Sequence, residues 1–299
     1  MGGPALARLR VRRRLRRHPA PARRRGVRLP EAPVGVGTPS GAGNMSPNPF
    51  DGKAEWFDRH YEDVRGRVRF RVLREQLKEA LPPPPAAILD AGGGPGRFSA
   101  ALSTDGYAVT LLDPSEEMLA RAERALSGHR DARVVKGKAK EAPSIFGPEA
   151  FDAVLLHAVV CYAEDLDAVL GGVAQALKRG GVLSLVFKNR HALPFRHVIR
   201  GSLAEAARSL EDPREAGNLG IANRARTREE LEPALSRAGF EVRGVRGVRL
   251  FAEFLAAEPE EEEEVERLVD LELRAGAIEP YRSVARLCHL VCERDRKIV

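Results

Sequence analysis

The hydrophobic positions of this 299-residue chain change period along its length. Trp56 to Tyr61 and Val64 to Leu81 read as helices, and the second carries Val68, Val72, Leu73, Leu77 and Leu81 at helical spacing. It stops hard at Pro82–Pro85. Short apolar runs then alternate with amphipathic stretches: a strand at 86–90, a helix at about 96–105, a strand at 107–112, a helix at 115–127 and a strand near Arg133–Lys136. A strand at Phe151–His157, a helix at 166–178 ending in Lys178-Arg-Gly-Gly, and a strand at Gly181–Asn189 follow. Residues 190–227 read as irregular and polar. The chain closes with a helix at 228–238, a strand at Phe240–Leu250, a helix opened by the acidic run Glu260–Glu264, and a strand at Ser283–Glu293. Strands alternating with helices of this length predict an α/β fold with a mostly parallel sheet covered on both faces.

Chemistry concentrates where the first of these strands ends. Ile88 to Phe98 reads ILDAGGGPGRF, an apolar strand running through Asp90 into a Gly-rich turn and a helix start. In an open α/β sheet that is the ligand-binding position, and Gly92, Gly94 and Gly96 let backbone approach a ligand where a Cβ would clash. The dinucleotide fingerprint requires Gly or Ala at position 97, and Arg97 stands there. The spacing instead resembles motif I of the class I S-adenosylmethionine (SAM) methyltransferases. Asp113 ends the next strand, roughly 20 residues after the turn, and is placed for ribose hydroxyls. It is also a candidate helix N-cap, since Ser115, Glu116 and Glu117 follow.

Charge changes the picture only once it is located. The net charge is +7, but residues 1–44 hold eleven Arg and one acid (+10), leaving −3 for residues 45–299. The basic character therefore belongs to the tail. That tail has too few large apolar residues to bury a core and is expected to be disordered. It reads as an RNA-binding arm, as a targeting segment, or as the product of an upstream start, the last being favoured because Met45 opens ordinary sequence; no secretory h-region is present. The division is thus 1–44 tail and 45–299 catalytic domain. No apolar run is long enough to span a bilayer. Cys161, Cys288 and Cys292 have no metal-ligand spacing and fit a reducing cytoplasm.

Beyond the glycines, the chain resembles the tRNA 5-carboxymethoxyuridine methyltransferases. The carrying stretches are LDAGGG (89–94), LHAVV (156–160), VLSLVFKNRHAL (182–193), GVRLFAEFL (247–255), LELR (271–274) and EPY (279–281). The resemblance implies a seven-stranded Rossmann-like sheet with an antiparallel end, and SAM as cofactor. It implies Arg69 on the methionine carboxylate, Gly93 and Gly94 under the methionine part, Asp113 on the ribose, Ala139 and Lys140 at the adenine, and His157 beside the methyl group. Asp90, Gly92 and Gly96 complete the candidate cofactor set. Family members carry an acidic residue and Trp where Cys161 and Tyr162 stand, Tyr where Lys188 stands, and an acidic residue beside the adenine where Lys138 stands.

The implied reaction moves a methyl from SAM to a carboxylate on a modified wobble uridine. A carboxylate is ionised at neutral pH and needs no general base, so positioning should dominate; an N–H or O–H nucleophile would want a base, and His157 or His191 is at hand. Lys188, Asn189, Arg190 and His191, with Arg196, His197 and Arg200, follow one strand, and Arg243, Arg246 and Arg249 lie in another. These are candidate contacts to an anticodon stem-loop, or ordinary surface basicity. The competing readings are a methyltransferase of a small carboxylate or amine metabolite, and a SAM-binding module without turnover.

Overall fold

The computed structural model describes residues 48–217 and 220–296; the tail read at 1–44 lies outside them. Two helices, α1 (Ala54–Glu62) and α2 (Val64–Ala80), precede the sheet. The chain then runs β1 (Ala87–Ala91), α3 (Arg97–Thr104), β2 (Ala108–Asp113), α4 (Glu116–Ala125) and β3 (Ala132–Lys136). A 3-10 turn at Ala139–Glu141 leads into the short α5 (Ala142–Phe146), then β4 (Phe151–His157), α6 (Leu166–Ala176) and β5 (Leu177–Lys188). After β5 come α7 (Leu193–Ile199), α8 (Leu203–Glu211), a two-residue ribbon of β6 (Arg214–Glu215) and β7 (Asn223–Arg224), and α9 (Arg228–Arg237). The chain ends β8 (Phe240–Val248), α10 (Glu262–Ala275), α11 (Tyr281–Val284) and β9 (Leu287–Arg294).

The main sheet has seven strands in the order β3-β2-β1-β4-β5-β9-β8. The first five are parallel, and β9 inserts antiparallel between β5 and β8. Every residue of β1 and β2 is buried, because helices cover both faces and leave no polar side. Alternate residues serve opposite layers. Ile88, Val109, Leu155 and Val186 pack with Val68, Val72 and Leu77 of α2, Phe98 and Leu102 of α3, and Val265 and Val269 of α10. Leu89, Leu156, Leu183 and Phe187 pack with Leu170 and Val173 of α6 and Leu231 and Leu235 of α9. Strand order reverses between β1 and β4, so their carboxyl ends open a crevice.

Three sequence expectations are corrected. Residues 190–227 are not irregular: they hold α7, α8 and the ribbon. Each helix is under three turns and exposes Phe195, Val198, Ile199 and Leu203, so no clean buried stripe marks them. Lys178–Gly181 is not a helix end, because α6 stops at Ala176 and those residues already lie in β5. The final strand begins at Leu287 rather than 283, after α11. The acidic run opens α10 and also ties it to α2. Glu262 bridges Arg67 and Arg71 of α2, and Glu266 meets Arg71 at 2.7 Å.

Candidate active site

The turn after β1 needs its glycines for identifiable reasons. Gly92 and Gly94 take positive φ (76° and 56°), a conformation that costs a residue with a Cβ. A Cβ on Gly93 would lie 2.7 Å from Leu111 Cγ and 2.9 Å from Asp90 Cγ, whereas one on Gly94 would meet nothing within 4 Å. Gly94 therefore presents bare backbone to open space. Asp113, at the end of β2, holds the turn in place. Its Oδ2 accepts from Gly94 N–H and its Oδ1 from Ser115 N–H, each at 2.9 Å. Burial pushes its carboxyl up against the pull of those two amides. The α4 N-cap is Ser115, whose Oγ accepts from Met118 N–H at 3.4 Å, so Asp113 is free of that duty.

These groups wall a cavity of about 490 Å³, within the size of small-molecule sites. Its roof is α1, which contributes Trp56, Phe57, His60 and Tyr61. Trp56 stacks on His60 at 4.5 Å between ring centroids. Burial, then the charge of Arg249, holds His60 below its ordinary pKa. The roof sits close because Gly66 of α2 allows it: a Cβ there would be 1.9 Å from His60 O. Arg97, the residue that departs from the dinucleotide fingerprint, donates to Tyr61 O at 2.8 Å and stacks on Phe70. It ties the start of α3 to the roof. Arg69 of α2 lines the cavity, and its buried Nε has no hydrogen-bond partner among the described residues.

The far end of the cavity is cationic. Arg286 lies 3.2 Å and Lys188 Nζ 3.3 Å from Glu215 Oε1, and Arg196 bonds Glu215 Oε2. Burial alone would raise Glu215, but Arg286, Lys188 and Arg196 outweigh it and hold it down to about 2. Lys188 also donates to Asn223 Oδ1 at 2.7 Å and lies over the Tyr162 ring. Arg249, at φ 60°, pairs with Glu253 and joins Arg200 and Arg286 in the lining. Arg249 Nε and Arg286 Nη1 are buried without a hydrogen-bond partner among the described residues.

Of the sequence candidates, the fold gathers Arg69, Gly92, Gly93, Gly94, Asp113, His157, Lys188 and Arg249 on this one cavity. Asp90 and Gly96 support it from behind. Asp90 is 3 % exposed, accepts from Ser99 Oγ at 2.6 Å, and burial pushes its carboxyl up to about 6. Gly96 caps α3 in the left-handed conformation. Ala139 and Lys140 lie outside the lining, because the 3-10 turn packs under α6: Ala139 joins the core and Lys140 is exposed. Three substrate candidates lie off the cavity. Asn189 is a brace, its amide donating to Ser283 O and Ala285 O at 2.9 Å each. Arg190 pairs with Glu230 at 2.7 Å and donates to Leu210 O, and His191 is exposed; neither lines the cavity. Arg243 likewise pairs with Glu241 and Glu293 instead of joining a basic face. Sequence reasoning missed the aromatic roof, Arg286, Glu215 and Glu253. The charged residues carried no motif, and only the proximity of Arg286 to the predicted β9 start hinted at its place.

The wall suits the methionine and ribose parts of SAM. Bare backbone at Gly94 allows close approach, the orphaned Arg69 guanidinium suits a carboxylate, and Asp113 suits a ribose diol. A Gly turn at the switch point of this sheet, with an acidic residue closing the neighbouring strand, belongs to the class I methyltransferase fold, and the chain is an S-adenosylmethionine-dependent methyltransferase. Residues 89–185 match the family model described as a methyltransferase domain. The chain is 28% identical, over 84% of its length and 98% of the relative's, to the tRNA 5-carboxymethoxyuridine methyltransferase of Escherichia coli K12. It is 30% identical to the malonyl-[acyl-carrier protein] O-methyltransferase of Enterobacter lignolyticus, over 50% of this chain and 53% of that one. Among solved structures, a Thermotoga maritima SAM-dependent methyltransferase, a possible histamine N-methyltransferase, superposes with a TM-score of 0.59 at 19% identity. That superposition covers 83% of this chain and 99% of the other and speaks for the fold alone.

Proposed function

We propose that this enzyme methylates a carboxylate carried on a modified wobble uridine of tRNA, giving the methyl ester of a carboxymethoxyuridine. The observation that carries the carboxylate is the charge at the far end of the cavity. Lys188, Arg249 and Arg286 gather there against Glu215 and Glu253, three cations to two acids, and Arg249 Nε and Arg286 Nη1 are buried without a hydrogen-bond partner among the described residues. An unpaired buried charge is costly, and a bound carboxylate relieves that excess. The tRNA half rests on similarity to the E. coli enzyme across nearly all of that protein's length. It is supported by α7 and α8, which leave Phe195, Val198 and Leu203 exposed beside cavity residues Ile199 and Arg200. Apolar side chains interleaved with cations suit an unstacked loop base and its phosphates. A tRNA acceptor carries a cytoplasmic location with it, which the three free cysteines accommodate.

Bound SAM supplies a methyl group on a sulfonium. The protein's part is to hold that cofactor through Arg69, Asp113 and the Gly92–Gly94 backbone, to keep water out with the α1 roof, and to bring the acceptor oxygen in on the cationic side. The carboxylate is the nucleophile as it stands, so no side chain has to remove a proton. His157 is neutral: burial, then His289 and Arg69, holds it well below its ordinary pKa. Turnover then depends on orientation and desolvation.

The test is to incubate the protein with radiolabelled SAM and total tRNA from its own source, then digest to nucleosides. A labelled, base-labile methyl ester of a carboxymethoxyuridine is expected. Label confined to small molecules, with SAM bound normally, refutes the tRNA acceptor and favours a small carboxylate or amine metabolite.

A further inference from the structure

A chain of buried polar groups runs beneath the cavity and ends on His157. His157 Nε2 lies 2.8 Å from Ser184 Oγ, and Ser184 Oγ lies 2.8 Å from His289 Nε2. His289 Nδ1 lies 2.7 Å from Gln76 Oε1, and Gln76 Nε2 donates to Gly247 O at 3.4 Å. Ser184 and His289 are fully buried, Gln76 is 5 % and His157 9 % exposed. The groups come from α2, β4, β5, β8 and β9, so the whole antiparallel end of the sheet fixes them.

The polarity of the chain can be read from its end. Gly247 C=O only accepts, so the Gln76 amide must turn its NH₂ there and offer its oxygen to His289. His289 must then carry its proton on Nδ1, leaving Nε2 a bare lone pair. Ser184 O–H has to donate to that lone pair, which leaves Ser184 Oγ to accept from His157 Nε2–H. Both imidazoles are neutral in this arrangement; burial, then Arg246, brings His289 down to about 4.

We propose that Gly247, Gln76, His289 and Ser184 form a positioning relay that locks His157 as its Nε2–H tautomer and leaves Nδ1 as a hydrogen-bond acceptor for an N–H or O–H donor of the bound molecule. Nδ1 is buried and has no partner among the described residues, in a side chain that lines the cavity. Burying an unpartnered acceptor costs free energy that a ligand donor recovers. An imidazole that only accepts repels a carboxylate's lone pairs, so a carboxylate would be turned toward the arginines and away from His157. The tautomer lock itself is independent of which acceptor the enzyme methylates.

The test is long-range ¹H–¹⁵N correlation of the histidine rings in the full chain at neutral pH, with His157 assigned by comparison with His157→Gln. Wild type is expected to show His157 with pyridine-type Nδ1 and pyrrole-type Nε2. Ser184→Ala is expected to lose the single tautomer, and Ser184→Thr, which keeps the hydroxyl, to retain it. Addition of SAM, or of S-adenosylhomocysteine with total tRNA, is expected to move the Nδ1 resonance; the first assigns the donor to the cofactor, the second alone to the acceptor. A proton on Nδ1 in wild type overturns the relay even where Ser184→Ala does not fold, as does an unchanged tautomer in folded Ser184→Ala. An Nδ1 resonance indifferent to both additions refutes the ligand role.

Discussion

Arg69 Nε and the Glu215 carboxylate are both buried, but the first lacks a partner among the described residues and the second has three. Arg69 Nε has no protein acceptor among the described residues, so its interaction is left for a ligand. Arg69→Ala should weaken SAM binding about 10- to 100-fold by titration calorimetry, the range for a hydrogen bond to a charged group. Undiminished affinity would place the methionine carboxylate elsewhere. Glu215 titrates in the opposite sense to a merely buried acid, since its folded pKa falls from 4.5 to about 2. Its stabilisation is present above pH 4.5 and lost as pH falls toward 2, amounting to roughly 3 kcal/mol. Glu215→Gln should therefore lower the urea midpoint at pH 7 and flatten the acid limb of the wild-type stability curve. Parallel curves across that window would show that the cluster is not held by the Glu215 charge.

Neighbouring glycines in one helix show how packing, rather than propensity, decides a substitution. Gly171 and Gly172 both lie inside α6. A Cβ on Gly171 would touch nothing within 4 Å, so Gly171→Ala should gain the ordinary helix preference, about 0.5–1 kcal/mol. A Cβ on Gly172 would sit 2.6 Å from Lys140 O, so Gly172→Ala must move the Ala139–Glu141 turn or bend α6. Thermal melts should rise for the first and fall by several degrees for the second. The same contrast explains what was legible at this scale. Strands and long helices were readable because burial on one or two faces imposes a period, as in Val68, Val72 and Leu77. The α7–α8 pair was not, because Phe195, Val198 and Leu203 are exposed while the charged Arg196 is buried on the cavity, the reverse of the usual pattern.

For the whole molecule, the described core clusters draw only on residues between Val64 and Cys292, all within the 45–299 unit read from sequence. A chain of residues 45–299 should match the full chain in melting temperature and SAM affinity. A clear loss of either would give the Arg-rich tail a part in the folded enzyme. The arginines of α2 have separate work at this scale: Arg67 and Arg71 meet the α10 acids Glu262 and Glu266, Arg74 meets Asp105, and Arg69 lines the cavity with its Nε lacking a partner among the described residues.

The sequence by itself determined the sheet, the Gly turn and Asp113, because each rests on local chemistry: apolar period, positive φ, an acid at a strand end. Resemblance also named Arg69 and His157, and both line the cavity. Only the tertiary structure decided which cations face the cavity. Lys188, Arg190 and His191 are near neighbours in sequence, but Lys188 meets Glu215 on the cavity while Arg190 pairs with Glu230 and His191 reaches solvent. Their partners come from segments far along the chain, and Arg286 arrives from about a hundred residues away. Charge in a sequence says that a side chain needs a partner; the fold says where it finds one.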